Sequence, residues 1–158
     1  MHDNPFQTRM PNIAGNDLVR KPQREAYAEL AKFATEPKDH EREVGIVLPV
    51  GCGKSGCITL TPFAFKATRT LVVAPGVPIA GQLHNDFDPT RPDMFYIKCK
   101  IIDGQPYPEP VEIRGTTTNV ADLEEADIVI TNIHQLQGRG QEFRSRTVGR
   151  SKASTRVA

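Results

Sequence analysis

The sequence predicts an α/β chain built on an open, mainly parallel sheet, and three apolar runs carry that reading. Val44-Gly45-Ile46-Val47-Leu48 and Thr70-Leu71-Val72-Val73-Ala74 each lead into a glycine-containing turn and then a helical pattern, and Asp127-Ile128-Val129-Ile130-Thr131 has the same apolar character. Strands buried on both faces read as continuous runs, and in a parallel sheet a crossover helix follows. Ligands of such sheets bind outside the carboxyl ends of the strands.

Residues 1–19 are polar and broken by Pro5, Pro11 and Gly15, so they read as a lead-in segment, with order beginning near Arg20. From Pro22 to Ala34 the pattern is helical: Pro22 suits a first turn, Ala26, Leu30 and Phe33 share one face, and Glu36-Pro37-Lys38-Asp39 ends it. The first apolar run follows at 44–48, and a helix is expected to start at Lys54. After the second run, Pro75-Gly76 precedes a helix carrying Ile79, Leu83 and Phe87 on one face. Met94 to Ile102 is rich in strand formers, and Val111-Glu112-Ile113 is a further short strand. Asn119, with Asp122 three residues on, resembles a cap leading into Leu123-Glu124-Glu125-Ala126.

The composition suits one soluble domain, short for a motor enzyme: 158 residues, 38% hydrophobic and 25% charged. No apolar run approaches the roughly 20 residues of a membrane helix. The first residues lack the basic start and apolar stretch of a secretory signal, so the expected location is cytoplasmic, with no membrane contact. Cys52, Cys57 and Cys99 have no paired metal-ligand spacing and read as free thiols. The net charge of +1 is unevenly spread. Residues 138–158 hold six basic side chains and one acidic, scattered among Ser, Thr and Gly; they read as a basic, disordered tail on a mildly acidic unit spanning 20–137.

Gly51-Cys52-Gly53-Lys54-Ser55 stands between an apolar run and a helix, the setting that a phosphate-binding loop requires. Glycines let the backbone curl until successive amides face phosphate oxygens. Lys54 is placed to reach the β- and γ-phosphates, Ser55 to give its hydroxyl to Mg²⁺, and the helix N-terminus adds a favourable dipole. Cys52 reads as a small residue tolerated inside the loop. The common pattern has Gly or Ala where this chain has Leu48. Hydrolysis needs acids as well, usually after a buried strand. The last run ends in Thr131-Asn132, Glu124-Glu125 precede it, and Asp103 before Gly104 reads as a turn residue, so no catalytic acid is identified.

Together these residues resemble the N-terminal motor domain of superfamily 2 DEAD/DEAH-box helicases, in the branch shared with type III restriction enzyme motor subunits. Leu48-Pro49-Val50-Gly51-Cys52-Gly53-Lys54-Ser55 looks like the helicase form of the phosphate loop, where Leu-Pro-Thr commonly replaces the stricter start. Arg20-Lys21-Pro22-Gln23-Arg24-Glu25-Ala26 resembles the segment whose glutamine reads the adenine edge, which gives Gln23 that role. Pro75, Gly76 and Gln82 fall in a segment similar to the next motif, and Thr131, Asn132 and Gln135 in one similar to the following motif. Both touch the nucleic-acid backbone in the family. His134 reads as an incidental surface residue.

The resemblance covers roughly Arg20 to Gly138 and implies a partial RecA-like P-loop NTPase domain with helices on both faces of the sheet. It implies ATP and Mg²⁺ as cofactors, DNA ahead of RNA as partner, and a nuclease or methylase subunit of a restriction system as a further partner. The family's Asp-Glu-x-His box and second motor domain are not in this sequence, which implies a truncated or frame-shifted product or a fragment. The expectation is therefore ATP binding and nucleic-acid contact without hydrolysis by this chain alone. Two alternatives stand beside it: a small P-loop kinase or other NTPase using an acid such as Asp103, and an inactive remnant or non-enzymatic binding module.

Overall fold

The computed structural model describes residues 4–36, 43–115 and 118–137. Its elements run α1 (Pro5–Thr8), α2 (Lys21–Thr35), α3 (Lys54–Ala64), β1 (Thr70–Ala74), α4 (Val77–Phe87), α5 (Phe95–Lys98), β2 (Pro110–Glu112), α6 (Val120–Glu125) and β3 (Ile128–Asn132). The three strands form one parallel sheet in the order β1-β3-β2. β3 is central, pairing with β1 from Thr70↔Ile128 to Ala74↔Asn132 and with β2 from Pro110↔Ile128 to Glu112↔Ile130. This is an α/β fold with a small parallel sheet, as in part of a RecA-like domain.

Paired residues of a sheet share a face, so Val72, Ala74, Ile128 and Ile130 form one apolar surface. It is packed into a single core with Ala80, Leu83 and Phe87 of α4 and Leu60 and Phe63 of α3. The α4 stripe runs through Ala80 rather than Ile79, which is exposed. On the opposite face Leu71 is 57% exposed, and Leu123 of α6 lines a shallow cavity with Leu71, Ile113 and Val129. α6 begins as its sequence suggests: the Asn119 side-chain Oδ1 accepts from the Ala121 amide at 3.1 Å.

Three regions depart from their sequence patterns. The lead-in is folded: Phe6, Ile13 and Val19 are all buried in the core. The Phe6 ring meets Phe63 edge-on with centroids 4.9 Å apart, a contact type worth about 0.5–1.5 kcal/mol beyond its buried area. Polar ties hold the segment down. Asn16 Nδ2 donates to the Cys99 carbonyl at 2.8 Å, and Asn4 Nδ2 to the Thr68 carbonyl at 2.6 Å.

The stretch from Met94 to Ile102 is not a strand. It makes the helical turn α5 because its backbone bonds close locally, Lys98 N to Met94 O at 2.9 Å and Ile101 N to Tyr96 O at 2.9 Å. Its strand-forming side chains serve the core instead. Tyr96 is fully buried, its hydroxyl donates to the Thr59 carbonyl at 2.5 Å, and burial pushes its phenol well above the usual range.

The run 44–48 also forms no strand. Val47 is 96% exposed, and the segment lies along α2, around a cavity it shares with Ala26, Leu30 and Phe33. An apolar run becomes a strand only where a neighbour takes its N–H and C=O groups. Neither outer edge of the β1-β3-β2 sheet reaches this segment among the described residues. The expectation of a basic tail falls on 138–158, outside those residues.

Candidate nucleotide site

The glycine loop keeps its curled form at the start of α3. Gly51 has φ 82° and Gly53 has φ 79°, both in the left-handed region that side chains disfavour. Gly53 is the residue immediately before α3. The Lys54 side chain folds back over the loop, and its Nζ donates to the Pro49 carbonyl at 2.9 Å. An ammonium held there by a single neutral acceptor stands where loop amides and the helix dipole both favour an anion.

The loop is fastened from α2. Gln23, 4% exposed, donates from Nε2 to the Gly53 carbonyl at 2.8 Å and accepts at Oε1 from the Arg20 amide at 2.9 Å. The Arg20 guanidinium donates to the Gly51 carbonyl. A Cβ at Gly53 or at Gly56 would collide with Gln23 Nε2, and one at Gly56 would also come within 2.6 Å of the Phe95 ring. The side chain expected to meet adenine thus spends its amide on the backbone around the loop. Gly56, which no motif reading singled out, is required for that approach.

Beside the loop lies a cavity of about 350 Å³ whose lining includes Gln23, Gly53, Ser55, Gln82, Asp86 and Lys98. Asp86 comes from the last turn of α4, and its Oδ2 is buried without a hydrogen-bond partner. Burial raises the Asp86 carboxyl above its ordinary value, the Ser55 hydroxyl and Lys98 oppose that rise, and Asp93 adds to it. The sequence carried no sign of this pairing, because Asp86 belongs to no loop motif and follows no strand. Asp103 is exposed elsewhere, and its carbonyl takes the Arg9 guanidinium.

These residues fit a phosphate chain with a divalent cation. A glycine cradle that side chains would fill offers amides, Lys54 offers charge, and Ser55 with an orphaned carboxylate oxygen offers hard oxygen donors. No group of three or more His, Cys, Asp or Glu able to hold a metal occurs among the described residues. A cation here needs oxygens from the nucleotide itself. Cys52 is half-buried in the loop, and burial, with Cys52 nearby, pushes the Cys57 thiol up.

The residues expected to face nucleic acid are only partly brought together. The pairing of Ala74 with Asn132 sets Pro75 and Gly76 beside the helical turn at 133–137, at the carboxyl ends of β1 and β3. Asn132 caps that turn, its Oδ1 accepting from the Gln135 amide at 3.2 Å. Pro75 is exposed and Gln135 half-buried, whereas Thr131 is fully buried with its hydroxyl unpartnered. Gln82 is separated from this group and lines the cavity of Gln23 and Ser55.

A glycine-curled loop at a helix start, with its lysine folded back over it, stands in a chain of the α/β class with a small parallel sheet. The family model described as type III restriction enzyme, res subunit, matches residues 17–153, and the chain belongs to that family, whose domains are helicase-like motors of superfamily 2. The match continues past Gly138, where the sequence turns basic. No curated protein and no solved structure matches the chain. Among the described residues no helix is long and apolar enough to cross a membrane.

Proposed function

We propose that the chain binds ATP with Mg²⁺ through the loop of Gly51 to Ser55 and meets a nucleic-acid backbone at the carboxyl ends of β1 and β3. The observation that carries the first part is the Lys54 ammonium folded over a loop whose two glycines hold left-handed φ. On this reading the amides of Cys52 to Ser55 take phosphate oxygens, Lys54 exchanges the Pro49 carbonyl for the β- and γ-phosphates, and Ser55 gives its oxygen to the cation. Bound Mg²⁺ would shield the charge of the phosphates. Gln23 keeps the loop in register from α2 and reaches the adenine edge only by releasing the Gly53 carbonyl or the Arg20 amide.

Pro75, Gly76, Asn132 and Gln135 serve the nucleic acid through backbone groups and amides, a mode that positions phosphates without reading sequence. Family membership favours DNA, with a nuclease or modification subunit as the protein partner, and a cytoplasmic location. Because the sequence holds no Asp-Glu-x-His box, the chain by itself holds ATP without turning it over. Calorimetric titration of Mg-ATP into the chain tests the reading, with Lys54→Ala as the control. Binding by the wild type and its loss in Lys54→Ala support it. Equal binding by both proteins, or rapid DNA-stimulated hydrolysis by the wild type, contradicts it.

A further inference from the structure

We propose that Asp86 is a positioning residue of the cation half of this site: its carboxylate takes the Ser55 hydroxyl proton in a hydrogen bond and leaves the Ser55 lone pairs facing a divalent cation held with the triphosphate. The inference rests on the phosphate reading of the loop and supplies an acid that the motif pattern lacks. A hydroxyl has one proton and two lone pairs, so an acceptor that occupies the proton frees both lone pairs for a metal.

Geometry carries the assignment. Asp86 and Ser55 line one cavity with Gln23, Gly53 and Lys98. Leu83 and Phe87, both buried in the core, anchor the turn of α4 that bears Asp86. One carboxylate oxygen, Oδ2, is buried and meets no donor. Burying an unpartnered carboxylate oxygen is costly, and native structures seldom keep one without a ligand to satisfy it. A cation bound at Ser55 would face this carboxylate and give the unpartnered Oδ2 a ligand.

The test compares ATP binding by the full chain in Mg²⁺ and in EDTA, for wild type, Asp86→Asn, Ser55→Ala and the double variant. In the wild type Mg²⁺ tightens binding. Asp86→Asn is expected to lose on the order of tenfold of that gain, the usual cost of removing a group that orients a metal ligand. Adding Asp86→Asn to Ser55→Ala is expected to cost nothing more, because the two residues act as a unit. In EDTA, Asp86→Asn binds ATP as well as the wild type or more tightly, since a carboxylate repels free phosphates.

A purely structural role for Asp86 would instead lower affinity equally with and without Mg²⁺, and that result overturns the proposal. So does an Asp86→Asn protein that keeps the full Mg²⁺ gain, an outcome that leaves the phosphate reading standing. Asp86→Ala, which removes the acceptor outright, is expected to repeat the loss of the Mg²⁺ gain if Asp86→Asn fails to fold. A wild type that binds ATP under neither condition overturns both readings.

Discussion

The runs 44–48 and 70–74 are alike as sequence and opposite as structure. Each is a five-residue apolar stretch ahead of a glycine turn and a helix. Thr70–Ala74 is a strand bonded along its whole length to β3, with Val72 and Ala74 in the core. The run 44–48 lies along α2 with Val47 in solvent. The difference lies in the neighbours, because strand propensity describes a fit to a pleated, half-buried surface and not a local preference. The glycine loop that follows the unpaired run is curled all the same. Its geometry is therefore set from the helix side, by Gln23 and Arg20, and not by a strand delivering it.

The largest expected contrast is in stability. Ile130→Ala opens a cavity in the central strand and is expected to cost about 2–5 kcal/mol, whereas Ile46→Ala, in the exposed run, stays within about 0.5 kcal/mol. Chemical denaturation of the two variants measures both. A costly Ile46→Ala would mean that the run is packed in solution. The glycines on either side of Leu48 give the next contrast. Gly53→Ala forces a left-handed φ and a collision with Gln23, for a cost of about 1–3 kcal/mol. Gly45→Ala meets open space at an ordinary φ and is expected to be neutral or to stabilise by about 0.4–1 kcal/mol.

The smallest effect is a pH dependence at Asp86. Burial raises its carboxyl from an ordinary value of 3.8, so folding favours the protonated form. That penalty on the folded state is absent below 3.8, grows as pH rises through the raised value, and is constant above it. Asp86→Asn is accordingly expected to raise Tm at neutral pH and to leave it unchanged near pH 3. An unchanged Tm at both would place the carboxyl in solvent.

What could be read in the sequence was what depends on neighbours along the chain. The loop of Gly51 to Ser55, the helix around Gln23, the Asn119 cap and the runs that became β1 and β3 all rest on local pattern or turn chemistry. The lead-in escaped because Phe6, Ile13 and Val19 are single anchors without a period, and Pro5 and Gly15 concealed them. Met94 to Ile102 misled because Phe95, Tyr96 and Ile97 are strand formers, while the burial of Tyr96 comes from packing against α3 and α4. Asp86 was invisible for a further reason. Its partner Ser55 is 31 residues earlier in the chain, and only the packing of α4 on α3 brings them together.

Amide hydrogen exchange with and without Mg-ATP tests most directly whether the helix side alone presents a working phosphate cradle. Nucleotide is expected to slow exchange at Cys52 to Gly56 in the wild type, not in Lys54→Ala, while residues 44–48 exchange fast in every sample. Unchanged exchange at Cys52 to Gly56, or protection spreading through 44–48 as though a strand had formed, would contradict it.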